Sequence, residues 1–397
     1  MSVSKCVSRI EESITLAITA KAKAMKAQGL DVVGLSAGEP DFDTPENIKQ
    51  AAIKAIQDGV TKYTPSAGLP ALRAAVARKF EKDNGLSYKP EQIIIGCGAK
   101  HSVFIAIMTL IDEGDEVIIP TPYWVSYPEM VKVAGGKPVI VETTKENGLK
   151  LTAAQLSAAI KARTKLLILN SPSNPSGMVY SKDELRALAE VVKKAGIYVL
   201  SDEIYEKILY DGAVHYSIAA LDPKVYERTI TINGVSKSYS MTGWRIGYTA
   251  GPLDIVKGMG RLQSQEISNA TSISQMAAIE ALEGPQDSVA MMVKAFDERR
   301  VYLVDRLNAI PGVSCIKPQG AFYAFPDFSA YHGKSFNGKK IQGSVDLSNY
   351  LLEEMKVGVV PGGGFGTDAN QRLSYATSMA AIKKGLDRIE EGLKKLA

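Results

Sequence analysis

Short apolar runs alternate with longer amphipathic stretches along most of this chain, and that alternation constrains the fold more than any other feature. The runs at 92–96, 116–120, 137–142, 165–170, 197–201 and 229–235 have the length and residue types of strands. The stretches at 45–57, 69–84, 102–111, 182–194 and 272–282 carry the helical period. Strand–helix alternation builds βαβ units. The expected fold is therefore α/β, a three-layer structure with a mainly parallel sheet covered by helices on both faces. Ligands in such sheets sit beyond the carboxyl ends of the strands.

The pattern changes after about residue 284. A long polar helix at 288–308 precedes short segments at 313–317, 321–326, 357–361 and 372–374, which read as α+β. At 397 residues the chain exceeds one ordinary core. The expected division is a large domain over 46–284 and a smaller α+β domain over 285–397. Residues 1–45 form a segment packed on the small domain or on another subunit.

Composition excludes several partners. Forty-seven basic residues against forty-three acidic ones leave a charge of +4, too dilute to draw nucleic acid or a membrane surface. Cys6, Cys97 and Cys315 lie far apart, form no CxxC pair and suit free thiols in a reducing cytoplasm. Lys21, Lys23 and Lys26 interrupt any apolar core of secretory type, and 103–111 is too short to span a bilayer. A soluble cytoplasmic protein is expected, with no metal.

Four strand exits carry chemistry. Cys97-Gly98-Ala99-Lys100 is a glycine turn feeding a helix, whose free N–H groups suit an anion. The prolines and glycine of Ser171-Pro172-Ser173-Asn174-Pro175-Ser176-Gly177 stiffen a turn around Asn174. Asp202-Glu203-Ile204-Tyr205 offers a carboxylate and a phenol, although an aspartate there also serves as a helix cap. Ser236-Lys237-Ser238 leads to Met241-Thr242-Gly243-Trp244-Arg245. Each exit alone says little, and a loop lysine is ordinarily a surface residue. Together they supply what pyridoxal phosphate needs. Its aldehyde takes a lysine, its phosphate takes N–H groups and a guanidinium, and its ring nitrogen takes a carboxylate.

The run Ser-Lys-x-x-x-Met-Thr-Gly-Trp-Arg-Ile-Gly-Tyr from Ser236 to Tyr248 resembles the cofactor-lysine signature of class I, fold-type I aminotransferases. Gly38-Glu39-Pro40-Asp41-Phe42, Asn174-Pro175-Ser176-Gly177, Ser201-Asp202-Glu203-Ile204-Tyr205-Glu206 and Arg372-Leu373-Ser374-Tyr375-Ala376 fit the same family in the same order. The resemblance runs from about residue 3 to the C-terminus and points to the bacterial-type aspartate aminotransferase branch, some members of which use prephenate.

The resemblance implies roles. Lys237 is the Schiff-base lysine. Asp202 pairs with the pyridine nitrogen, and Tyr205 and Asn174 meet the 3-oxygen. The backbone at Ala99 and Lys100, with Ser236 and Arg245, binds phosphate. Trp124 stacks on the ring. Gly38, Trp124, Asn174 and Arg372 contact substrate, with Arg372 on the α-carboxylate. Tyr63 reaches the phosphate of a neighbouring subunit, which implies a homodimer. His101, His215 and His332 match no catalytic position.

The expected reaction moves an amino group between an amino acid, aspartate foremost, and a 2-oxo acid, 2-oxoglutarate foremost, with ping-pong kinetics. A free lysine, with pKa ~10.4, is a poor base at neutral pH, so Lys237 must be set free beside the substrate to act as one. Lys100 and Thr15 are candidates for a second carboxylate. Glu11 stands where prephenate users of the branch carry a lysine, which weighs against prephenate. The alternatives are an aromatic, alanine or other aminotransferase or a lyase on the same scaffold, and a sensor that uses such a domain without catalysis. Sensors of that kind place a DNA-binding domain ahead of a match that here begins almost at residue 1. A nicotinamide dehydrogenase lacks support, since no GxGxxG follows the first strand.

Overall fold

The computed structural model describes every residue except Met1, Ser2, Lys5, Glu12 and Ser13, and leaves undescribed the side chains of Ile14, Thr15 and Leu16. Seven strands form its central sheet. They are β1 (Ile93–Gly96), β2 (Glu116–Pro120), β3 (Lys137–Val141), β4 (Thr164–Asn170), β5 (Tyr198–Asp202), β6 (Thr229–Gly234) and β7 (Gly247–Ala250). Their spatial order is β1-β7-β6-β5-β4-β2-β3. All pairings are parallel except those of β7, which runs antiparallel to both β1 and β6.

Alternation of side chains makes the layers. Val117, Ile119, Leu166, Ile168 and Leu200 point to one face, where the helices Ala99–Leu110 and Leu253–Glu266 cover them. Ile118, Leu167, Leu169 and Val199 point to the other, under the helix Lys182–Ala195. A sheet buried on both sides needs such continuous apolar runs. The covering helix is well delimited. Ser181 and Glu184 form its capping box, and Gly196, at φ +68°, closes it in the left-handed region that glycine reaches without strain.

A three-stranded antiparallel sheet lies later in the chain, with Gln371–Ser374 between Val360–Pro361 and Tyr323–Ala324. The helices Asp287–Asn308 and Met379–Lys394 pack over a second apolar core that includes Phe296, Leu303, Phe322 and Ile389. Val33–Gly34 pairs in parallel with Val357–Gly358, so the N-terminal segment is stitched to this later part.

Three expectations need adjusting. The stretch at 69–84 is a helix only over Pro70–Lys79, after which Phe80–Asn84 widens into a π turn. Segment 313–317 makes no strand beyond an isolated bridge from Ser314 to Asp327, because Gly312 and Pro318 bracket it and shorten any ladder. Strand β5 extends one residue further than expected, so Asp202 is its last member, paired to Asn170 and Ile232. Among the described residues, no helix is long and apolar enough to cross a membrane.

Candidate active site

A cavity of 480 Å³ opens at the carboxyl ends of β4 and β5. It gathers Gly38, Ala99, Lys100, Trp124, Asn174, Asp202, Tyr205, Ser236, Lys237, Arg245 and Arg372 from segments scattered over the chain. Two residues named with them stand apart. Tyr63 is 90% exposed and lies outside this cavity. Glu11 lines a separate groove, where its backbone N–H donates to Glu129 and Lys132 approaches its carboxylate. The Thr15 side chain lies outside the described residues.

Lys237 donates from Nζ to the carbonyl oxygen of Gly38 at 2.6 Å. Burial, abetted by Arg372 and Arg245, brings its pKa down to about 8 against the pull of Glu39 and Asp202. Burial likewise raises Asp202 to about 6, although Tyr127 and the Ile204 N–H hold it back. The Tyr127 hydroxyl donates to Oδ2 of Asp202 at 2.6 Å, and the Ile204 N–H donates to Oδ1 at 3.3 Å. A buried amine that sheds its proton readily and a buried carboxylate therefore face one cavity.

One wall is an anion cradle. The helix Ala99–Leu110 begins behind Gly98, and its first residues, Ala99 and Lys100, line the cavity, where a helix N-terminus leaves N–H groups free for an anion. Arg245, itself at φ +57°, donates to the carbonyls of Thr242 (2.8 Å) and Cys97 (3.3 Å). Gly98 sits at φ +87°, where a side chain is strained and would also press on that guanidinium, so the turn requires glycine.

On another wall, Arg372 donates to Oδ1 of Asn174 (3.1 Å) and to the carbonyl of Ser36 (2.8 Å), and it lies 4.5 Å over the Tyr323 ring. Its Nε is buried and has no hydrogen-bond partner among the described residues. A fully buried guanidinium with no carboxylate paired to it among the described residues suits an incoming anion. Lys100 lies 5.0 Å over the Trp124 ring.

These residues fit pyridoxal phosphate by the chemistry of the donor set, with an amine, a carboxylate, an anion cradle and an aromatic face around one space. The sequence pattern of the family described as Aminotransferase class I and II matches residues 30–389. The chain belongs to that family. An aspartate aminotransferase of Bacillus sp. (strain YM-2) is 55% identical over 389 residues, covering 98% of each chain. An aspartate/prephenate aminotransferase of Cereibacter sphaeroides is 49% identical over 390 residues, again covering 98% of each. Among solved structures, the aspartate aminotransferase from Rhizobium meliloti superposes with a TM-score of 0.96 at 47% identity, covering 100% of both chains. The protein is thus a pyridoxal-phosphate-dependent transaminase.

The aminotransferase site also contains residues that strand exits did not reveal. Tyr127 sits on the helix Ser126–Val133 with the look of a core aromatic, and only its hydroxyl bond to Asp202 betrays it. Tyr323 shares a hydroxyl–hydroxyl hydrogen bond of 2.9 Å with Tyr205 while supporting Arg372. Glu39 accepts from Thr242 at 3.0 Å and reaches Lys237 electrostatically. It lay inside the Gly38-Glu39-Pro40 motif, which was the available signal.

Proposed function

We propose that this aminotransferase exchanges an amino group between aspartate and 2-oxoglutarate by a ping-pong cycle, as a cytoplasmic homodimer. The observation that carries the substrate reading is Lys100. Once Lys237, Arg245 and Arg372 are assigned to the cofactor aldehyde, the phosphate and the α-carboxylate, Lys23 and Lys100 remain at the cavity, and of the two it is the Lys100 ammonium that lies over Trp124, the residue assigned to the ring face. A second carboxylate is the anion it suits. The names of the relatives support the same choice.

When bound, pyridoxal phosphate supplies the electron sink that stabilises negative charge at the substrate Cα. Lys237, with its pKa drawn down to about 8, moves the Cα proton. Gly38 steadies its Nζ through the carbonyl contact. Asp202 holds a proton on the ring nitrogen, and Tyr127 holds Asp202. Ala99, Lys100, Ser236 and Arg245 bind the phosphate by backbone N–H, hydroxyl and guanidinium. Tyr205 and Asn174 meet the 3-oxygen, and Trp124 covers the ring against water. Arg372 grips the α-carboxylate as a two-pronged donor, with Asn174 and Tyr323 orienting it.

The exposed Tyr63 belongs, in this reading, to a second subunit's phosphate site. The chain works as a large domain over 46–284, a small one over 285–397 and an N-terminal segment over 1–45 that packs on the small domain or on a partner subunit. Glu11, an acid where prephenate users of the branch carry a lysine, weighs against prephenate.

Half-reactions with a panel of aspartate, alanine, phenylalanine and prephenate test the assignment, alongside Lys100→Met. Aspartate should react fastest, and Lys100→Met should raise KM for aspartate and 2-oxoglutarate by ~10- to 100-fold while sparing alanine. Equal losses for alanine would sink the role of Lys100.

A further inference from the structure

Asp202 ends β5 and Glu203 follows it, its N–H still bonded to the Ile232 carbonyl of β6 at 2.9 Å, and consecutive residues of extended chain point to opposite faces. Asp202 faces the cavity. Glu203, 1% exposed, faces away into a closed set of ionisable groups that the transamination chemistry does not use. Its Oε1 accepts from Ser201 (2.8 Å) and Ser217 (2.7 Å). Its Oε2 meets His215 Nε2 at 3.1 Å and accepts from Asn84 at 3.3 Å. Glu206, one turn on, accepts from the same Asn84 amide at 2.7 Å and pairs with Lys79. His215 also lies 4.0 Å from Glu206.

Glu203, Glu206 and His215 bring ligand atoms within 4.8 Å of one another, as a cation site would. The Lys79 ammonium already lies against Glu206 and donates to Asn84 at 2.6 Å, so the chain supplies its own cation there. The neighbouring charges close on themselves, with Asp83 between Lys79 (3.9 Å) and Lys207 (2.8 Å). Two buried carboxylates therefore face one lysine and one histidine. With His215 protonated the four groups balance, and with it neutral they carry one negative charge directly behind Asp202.

We propose that His215 is a positioning residue for transamination: by pairing with Glu203 it neutralises the carboxylate next to Asp202 and pins the join between Asp202, at the end of β5, and the turn that carries Tyr205. This rests on the reading of Asp202 as partner of the ring nitrogen. Like charges in proximity disfavour ionisation, so an unneutralised Glu203 makes the Asp202 carboxylate harder to keep charged. The direction of the shifts agrees. Burial acts to lower the His215 pKa, yet Glu203 and Glu206 raise it above that of an ordinary histidine, and Glu203 is among the groups that raise Asp202.

The test is a double-mutant cycle on the full-length holoenzyme. His215→Gln keeps a donor to Glu203 but loses the charge, whereas His215→Lys keeps a cation. Each is made alone and with Asp202→Asn. The readouts are the pyridoxal phosphate dissociation constant by equilibrium dialysis, and kcat and KM across the titration range of histidine. His215→Gln should weaken cofactor binding and lower kcat about tenfold, with the acid limb moved up by about one pH unit and amino-acid KM little changed. His215→Lys should bring these values back toward the starting ones. In the Asp202→Asn background, His215→Gln should cost nothing further. Equal losses in both backgrounds, or an unmoved acid limb, would overturn the proposal for His215 while leaving Asp202 intact. An Asp202→Asn enzyme with undiminished cofactor affinity and kcat would overturn the reading of Asp202 and the proposal with it. If His215→Gln fails to fold, Ser217→Ala removes one donor from Glu203 and should move both readouts the same way by about two- to threefold; no movement there also overturns the proposal.

Discussion

Tyr127 donates its hydroxyl hydrogen to Oδ2 of Asp202 across 2.6 Å, and both side chains are buried. The same tyrosine meets Trp124 edge-on, with ring centroids 5.3 Å apart. One residue thus braces both the carboxylate assigned to the ring nitrogen and the aromatic assigned to the ring face. Tyr127→Phe leaves packing intact and removes only the donor. The Asp202 pKa, about 6 in cofactor-free protein, should rise, and the acid limb of kcat should move up by about one unit, which lowers kcat about tenfold on that limb. An acid limb left in place would show that Tyr127 does not tune Asp202.

Asp202 also carries a cost for the empty site. Its pKa in the fold, about 6, exceeds the ordinary 3.8, so the folded protein binds the proton more tightly than the unfolded chain. That linkage lowers the stability of cofactor-free protein as pH rises from about 4 through 6, and above that window the penalty is about 3 kcal/mol. Asp202→Asn should therefore stabilise cofactor-free protein by about 2 kcal/mol at pH ~7.5 while disabling catalysis. Denaturant melts at pH ~7.5 and ~4.5 measure it, and the gap should shrink at the lower pH.

Lys237 titrates in the opposite sense. Burial pulls its pKa to about 8, and only the neutral amine can attack a carbonyl. Capture of pyridoxal phosphate by cofactor-free protein should accelerate with pH about a midpoint near 8. Stopped-flow absorbance reads this directly, and a rate flat between pH ~7 and ~9 would contradict it. Lys237→Ala should lose both transamination and the absorption band of the lysine adduct.

Arg372→Lys tests the carboxylate grip. Lysine returns the charge but not the fork, leaving either Asn174 or the Ser36 carbonyl without its donor. KM for amino acids should rise ~100-fold or more, with cofactor affinity nearly unchanged. Steady-state kinetics and dialysis separate the two, and a parallel loss of cofactor would point to a collapsed pocket instead.

Legibility in the sequence followed chemistry at strand ends. Asp202, Asn174 and Lys237 stood out because polar groups broke apolar runs at places where α/β sheets bind ligands. The parallel order was legible for the same reason, since runs such as 165–170 are apolar on both faces. Strand β7 was not, because Gly247–Ala250 is four residues long and merges with the signature before it. Tyr127 and Tyr323 were hidden, because a buried tyrosine in an apolar pattern reads as packing until its hydroxyl is located. His215 was hidden by its distance in sequence from Lys79, which only folding brings to the same carboxylates.

Arg372 has a consequence of another kind. Its two hydrogen bonds reach partners 198 and 336 positions away along the chain. The substrate clamp therefore has no local precursor, and no contiguous fragment containing Arg372 but lacking Ser36 can rebuild it. Splitting the polypeptide between Ser36 and Asn174 should give two pieces that are each inert toward amino acids and regain turnover only on reassociation. That property makes the clamp a reporter of complete assembly.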